Sequence, residues 1–303
     1  MALDQFQKHF YRMKFENRYL RAKGNEFQEF FRVIMEHAYP GDFIAVRTHG
    51  NVGDKKCDGY RQNGGIIFQC YAPKEMDLKS LLKKMQDDFD GAKAHWKDEM
   101  KQWVFVHNDD GGLPADAVKY LEKFKADNEG LETGQHGFQE LSDIVDGLPE
   151  TKLSSLFGPL PSRNMVANIG NDDIRAAVQG IQHYDPRSDM GDPVAPSAAK
   201  LTANGLSIAV IELIRGGFVG ARRVQGFFDN YPVPDYVDTV ASAFKREYIK
   251  LRDDGTKPDE IYESLYGYAG GDGGDANRRA AVSAVLSYFF ERCDIFEDSV
   301  AQS

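Results

Sequence analysis

The chain has 303 residues, 42% of them apolar and 28% charged, with a mean hydropathy of -0.50 and a formal net charge of -10. These averages exclude a collagen-like chain, a disordered tail and a membrane protein, and there is no run of about 18 apolar residues that could span a bilayer. A chain of this length holds one large core or two ordinary ones, at about 100–200 residues per domain.

Met1-Ala2-Leu3-Asp4-Gln5 lacks the basic start and apolar run of a signal peptide, so the expectation is a soluble, cytoplasmic protein without membrane association. Cys57, Cys70 and Cys293 are odd in number and show no CxxC spacing, which argues against a disulfide framework or a zinc site.

Residues 4–38 read as helix: Phe6, Phe10, Met13, Phe27, Phe30, Phe31 and Ile34 recur every three to four residues, and Gly24 marks a break between two helices. Pro40-Gly41 ends the run, and Phe43-Ile44-Ala45-Val46-Arg47-Thr48 follows as a short strand. After the Gly-rich loop from Gly50 to Asp54, two strand patterns, Asp58–Arg61 and Ile66–Tyr71, flank Asn63-Gly64-Gly65. That turn suits a hairpin because its residues tolerate positive φ. Leu78, Leu81, Leu82, Met85, Phe89, Ala92 and Trp96 form one helical stripe. Trp103–His107 reads as a strand covered on both faces, 115–126 as a helix opened by Pro114, 132–137 as a strand and 138–145 as a helix. The order describes a mixed-sheet α/β domain over residues 1–147.

Residues 148–162 are rich in Pro and Gly and read as a linker. Beyond them strand patterns disappear. Helices are expected near 172–183, 199–215, 218–229, 235–252, 259–268 and 276–292, which makes residues 163–303 an all-α domain. Gly216-Gly217-Phe218-Val219-Gly220 follows a helix pattern, so it is no dinucleotide loop. The GxxxxGK[ST] phosphate loop is absent from the sequence.

The informative stretch is Gly53-Asp54-Lys55-Lys56-Cys57-Asp58-Gly59-Tyr60 followed by Gln69-Cys70-Tyr71. Side chains two apart on a strand share a face, so Gln69 and Tyr71 point one way and Phe68 and Cys70 the other. This layout resembles the PD-(D/E)xK nuclease fold, its Mrr-type branch above all, over about residues 24–145. There acidic side chains hold a divalent cation, commonly Mg²⁺ or Mn²⁺, beside the scissile phosphate, and a lysine activates the attacking water. The resemblance places Asp58 and Gln69 as metal ligands, Gln28 at the position of the helix glutamate, and Tyr71 where the lysine belongs. A phenol with an ordinary pKa near 10 supplies no positive charge. Glu26 or Asp54 could restore an acid, and Lys55, Lys56 or Lys74 a cation. The residues by themselves also allow Asp58 to be a plain hairpin residue.

In the second half, Phe157-Gly158-Pro159-Leu160-Pro161-Ser162, Asp172-Asp173-Ile174 and Tyr288–Glu297 resemble the C-terminal domains of ABC-three-component system proteins, over about residues 155–303. That family joins variable effector modules to a helical domain. It implies a middle component and an SMC/Rad50-like ATPase as partners in bacterial defence against phage or plasmid DNA, and leaves a homo-oligomer open. The two likenesses together imply an effector subunit whose nuclease-like domain engages DNA, with a catalytically inactive adaptor for partner proteins or DNA ends as the alternative. The most basic stretch, Lys8 to Arg32, offers Arg12, Arg18 and Arg21 for DNA, or else forms a solvated helix face.

Overall fold

A computed structural model describes residues 3–46, 56–179, 204–233, 235–292 and 295–296. The chain divides into two compact units, Lys14–Leu156 and Met1–Met13 with Phe157–Ser303. Residues up to Met13 therefore group with the helical half of the chain. The Gly50–Asp54 loop, Arg47, Thr48, Lys55, the Pro-rich stretch 185–196, Cys293 and Glu297 lie outside the described residues. Among the described residues no helix is long and apolar enough to cross a membrane.

The α/β unit carries helices α1 (Gln5–Arg21, from Lys14 on) and α2 (Asn25–Ala38), then strands β1 (Phe43–Ala45), β2 (Gly59–Arg61) and β3 (Ile66–Tyr71). Helix α3 (Leu78–His95), β4 (Gln102–His107), α4 (Ala115–Ala126), β5 (Glu132–His136) and α5 (Phe138–Asp146) follow. The sheet is mixed, in the order β1-β2-β3-β4-β5, with the first three strands antiparallel and the last three parallel. The expected hairpin forms, pairing Gly59 with Phe68 and Arg61 with Ile66. Its turn uses positive φ at Gly64 and Gly65, which a side chain would strain.

Each face of the sheet has its own core. On one side Ile67, Trp103 and Phe105 pack against Leu81, Met85 and Phe89 of α3 and Ala117, Leu121 and Phe124 of α4. Phe89 and Phe124 stack at 4.1 Å. On the other side Phe68 meets Phe31 of α2 and Phe43 of β1. Asp77 starts α3 by accepting the Ser80 N–H at 2.8 Å.

The helical unit comprises α6 (Glu150–Phe157) only at its last residue, then α7 (Arg163–Ala167), α8 (Asn171–Gln179) and α9 (Ile208–Gly217). A 3₁₀ turn (Phe218–Gly220), α10 (Ala221–Asp229), α11 (Tyr236–Asp253), α12 (Pro258–Tyr268) and α13 (Ala276–Glu291) complete it. Helices α6 and α7 occupy and follow the segment expected as a linker. The density of prolines hides the buried pair Leu153 and Leu156 and the Ser162 cap on the Met165 N–H. Helix α13 is buried on every side, as the central helix of a bundle must be. Small residues let its neighbours approach: a Cβ at Gly217 would collide with Ser287 and one at Gly220 would lie 2.7 Å from Ala284. Sequence periodicity alone excludes a dinucleotide loop here; the structure adds that these glycines are packing contacts.

Arg279 on α13 is 7% exposed and donates to four backbone carbonyls: Phe157 at 3.2 Å, Pro159 at 3.0 Å, Asp272 at 3.0 Å and Gly274 at 3.0 Å. Gly158, at φ 80°, lies against the guanidinium, where a side chain would not fit. Replacing Arg279 by Met is expected to leave these carbonyls buried without donors and to lower the helical unit's stability by about 3 kcal/mol or more. Urea unfolding followed by hydrogen exchange of α12 and α13 measures the loss.

Candidate functional site

The site anticipated from the hairpin is built on the start of β2, the end of β3 and the first turns of α2. Asp58 is half-buried, and its backbone N–H bonds the Phe68 carbonyl at 2.8 Å. Its carboxylate accepts the Gln28 Nε2–H at 3.1 Å through Oδ1 and the Cys70 backbone N–H at 2.7 Å through Oδ2. Asp58 thus ties the hairpin to α2. The structure brings Asp58 and Gln28 together, while Tyr71 is half-buried and packs against the α3/α4 core, its ring 6.0 Å from that of Phe105. Gln69, two residues earlier on the strand, points to that same side by alternation. Gln69 is 2% exposed, and its Oε1 has no hydrogen-bond partner among the described residues.

A divalent cation with hard-oxygen preference needs several carboxylate or carbonyl oxygens converging on one point. Here one carboxylate is matched to the motif and both of its oxygens already accept N–H groups. Gln28 presents its amide N–H to that carboxylate rather than an oxygen, and Gln69 directs its side chain to the other face of β3. Among the described residues no group of three or more His, Cys, Asp or Glu side chains is placed to hold a metal ion. This set of residues does not fit Mg²⁺ or Mn²⁺.

Among the described residues the lysine's charge is not replaced at Tyr71. Burial and the nearby Asp77 push the Tyr71 hydroxyl above its ordinary pKa, so it stays neutral. The Lys56 ammonium is engaged by the fully buried Asp88 of α3 at 3.0 Å, and Lys84 reaches the same carboxylate at 2.7 Å. Lys56 holds a positive φ, and Gly91 leaves room for its aliphatic stem across α3. Lys74 and Glu26 are exposed. Asp54 and Lys55 belong to the segment outside the described residues.

Of the three arginines considered for DNA, Arg12 falls in the helical unit and Arg18 and Arg21 in the α/β unit. Arg12 and Arg21 are exposed. The Arg18 guanidinium lies 4.7 Å over the Phe30 ring and reaches the Leu156 carbonyl, a packing role within its own unit.

Sequence reasoning missed a second polar cluster, at the ends of β4 and β5. His107 is buried; its Nε2 bonds Gln135 Oε1 at 2.8 Å and its Nδ1 accepts the Asp109 N–H at 3.3 Å. Both ring nitrogens are satisfied by the neutral form, and burial holds the pKa below the ordinary value. Asn108 donates to the Tyr19 and Ala22 carbonyls at the end of α1, and the Tyr19 hydroxyl donates to the His107 carbonyl at 2.9 Å. The signal was His107-Asn108 closing an apolar run, and Asp88 standing on an otherwise apolar helical stripe.

The described residues of the second half form helices, with the aromatic-rich α13 as the last of them. Residues 184–297 match the family model described as C-terminal domain 10 of the ABC-three component (ABC-3C) systems. Residues 184–297 are thus similar to an ABC-3C C-terminal domain, in agreement with the resemblance of the second half. No curated protein and no solved structure gives a significant match.

Asp58→Ala is expected to leave the Cys70 N–H and the Gln28 amide without their acceptor and to cost about 1–3 kcal/mol. Asp58→Asn should cost clearly less, because an amide oxygen still accepts from Cys70. Chemical denaturation of both variants, with and without Mg²⁺, should also show no metal-dependent stabilisation of the parent chain.

The two units should respond oppositely to pH. Burial lowers the folded pKa of His107 and His136 below 6.5 in the α/β unit, so stability there is present above pH 6.5 and lost as pH falls through the folded values. Burial raises Glu291 in the helical unit from 4.5 to about 7, so its contribution is full below pH 4.5 and lost as pH rises through about 7. Hydrogen exchange from about pH 8 to about pH 5, corrected for intrinsic rates, should show α3 and β4 weakening while α10 and α13 strengthen.

Proposed function

We propose that this chain is a non-cleaving subunit of a bacterial ABC-three-component defence complex directed against phage or plasmid DNA. Its helical unit assembles with a middle component and an SMC/Rad50-like ATPase, and its α/β unit is a nuclease-like recognition module that binds partner protein rather than hydrolysing DNA. The observation that carries the reading is the Asp58 carboxylate, which is held by Gln28 and Cys70 with no second carboxylate converging on it among the described residues, while Tyr71 stands in place of a lysine. Phosphodiester hydrolysis needs a cation or charged group to offset the developing charge, and these residues supply neither.

Charge favours a protein partner over DNA. The α/β unit holds 25 acidic against 20 basic residues and the helical unit 22 against 17, so neither carries the basic excess of a surface that tracks phosphates. Arg18 is engaged in packing as well.

Plasmid DNA incubated with the full chain and Mg²⁺ or Mn²⁺, alone and with the co-expressed ABC-3C components, tests the reading. Intact plasmid under every condition, with the components co-purifying, is the expected result. Metal-dependent nicking that Asp58→Ala abolishes would overturn it.

A further inference from the structure

The family match covers residues 184–297, yet the helical unit is built partly from chain far outside that segment. Asp4 Oδ2 accepts the Arg163 backbone N–H at 2.9 Å, and Gln7 Nε2 donates to the Leu160 carbonyl at 3.3 Å. Phe6 is buried against Gly216 of α9, where a Cβ would collide with its ring. Phe10 is fully buried and meets Tyr266 of α12 edge-on at 5.0 Å. Tyr11 lies 6.1 Å from the Phe157 ring and donates to the Gly158 carbonyl at 3.5 Å.

Phe6, Phe10 and Met13, spaced four and three apart, form one apolar face of α1, and all three are buried. The seat they occupy has matching features: a glycine for one ring, a tyrosine edge for the next, and two polar anchors at the start of the segment.

We propose that residues 4–13 are an obligate strap of the ABC-3C-type module, which in this chain is incomplete until this segment fills the seat lined by Gly216, Tyr266, Phe157 and Gly158. The ligand of that seat is a helical segment of the same chain with aromatic residues at Phe6, Phe10 and Tyr11. The inference depends on contacts within the helical unit and is independent of whether the α/β unit cleaves.

Gly216 gives a test by sign. Alanine favours a helix over glycine by roughly fivefold in equilibrium constant, so Gly216→Ala in an empty seat stabilises α9. With Phe6 in place, the added Cβ meets a ring confined by its neighbours and must displace it. Hydrogen exchange on the full chain should show Gly216→Ala speeding exchange in α9 and α12, and slowing it in a Phe6→Ala background. Phe10→Ala should speed exchange in α9, α12 and α13 on the order of 100-fold while α3 and β4 keep their rates. Slower exchange from Gly216→Ala in both backgrounds would overturn the proposal. So would a Phe10→Ala chain whose α9 and α12 exchange at the parent rate, or whose α3 and β4 accelerate equally.

Discussion

The Asp58 carboxylate, with one oxygen on the Gln28 amide and the other on the Cys70 backbone, fixes how the α/β unit is assembled and what it can do. It joins α2, the loop before β2 and the end of β3 in two hydrogen bonds. A half-buried carboxylate is stable in such a place only when its oxygens find donors. Those same donors aim the carboxylate at α2 and the end of β3, and among the described residues no group of three or more acidic, His or Cys side chains is placed to hold a cation. The feature that makes this chain look like a nuclease is therefore also the one that holds its hairpin to the helix.

The same rule governs two other buried charges, Asp88 and Arg279. Asp88 lies on the apolar face of α3, with Lys56 and Lys84 reaching it from two elements, and so sets the path of the chain into Cys57 and Asp58. In the helical unit the Arg279 guanidinium gathers four backbone carbonyls and organises Phe157–Pro159 and the Gly-rich turn before α13. Asp88 is paired with two lysines and Arg279 is hydrogen-bonded by four carbonyls, each within its own unit. The α/β unit as a whole carries more acidic than basic residues, a balance that suits the proposed protein partner better than phosphate binding.

Much of the fold was legible because periodicity reports burial directly. The strand run Trp103–His107, the stripe from Leu81 to Ala92 and the Asn63-Gly64-Gly65 turn all formed where the pattern put them. The short helices α6 and α7 were hidden because prolines flank them and two or three buried residues carry no clear period. The place of residues up to Met13 could not be read either. Phe6, Phe10 and Met13 announce an apolar helix face, but nothing in the sequence says which core receives it. The hairpin shows the same limit at the site. Spacing puts Gln69 and Tyr71 on one side of β3, where Tyr71 packs against the α3/α4 core, whereas the side on which Asp58 finds its donors depends on α2, which is distant in sequence.

On the proposed reading Asp58 acts as a hydrogen-bonded structural carboxylate and not as a cation ligand. Titration of the ¹⁵N-labelled chain with Mn²⁺, read as paramagnetic broadening of backbone amides, tests it most directly. The account predicts no saturable broadening centred on Asp58, Gln69 and Cys70, and a Cys70 N–H that keeps the strongly protected exchange of a bonded amide. Saturable broadening at those three amides that disappears in Asp58→Asn would contradict it.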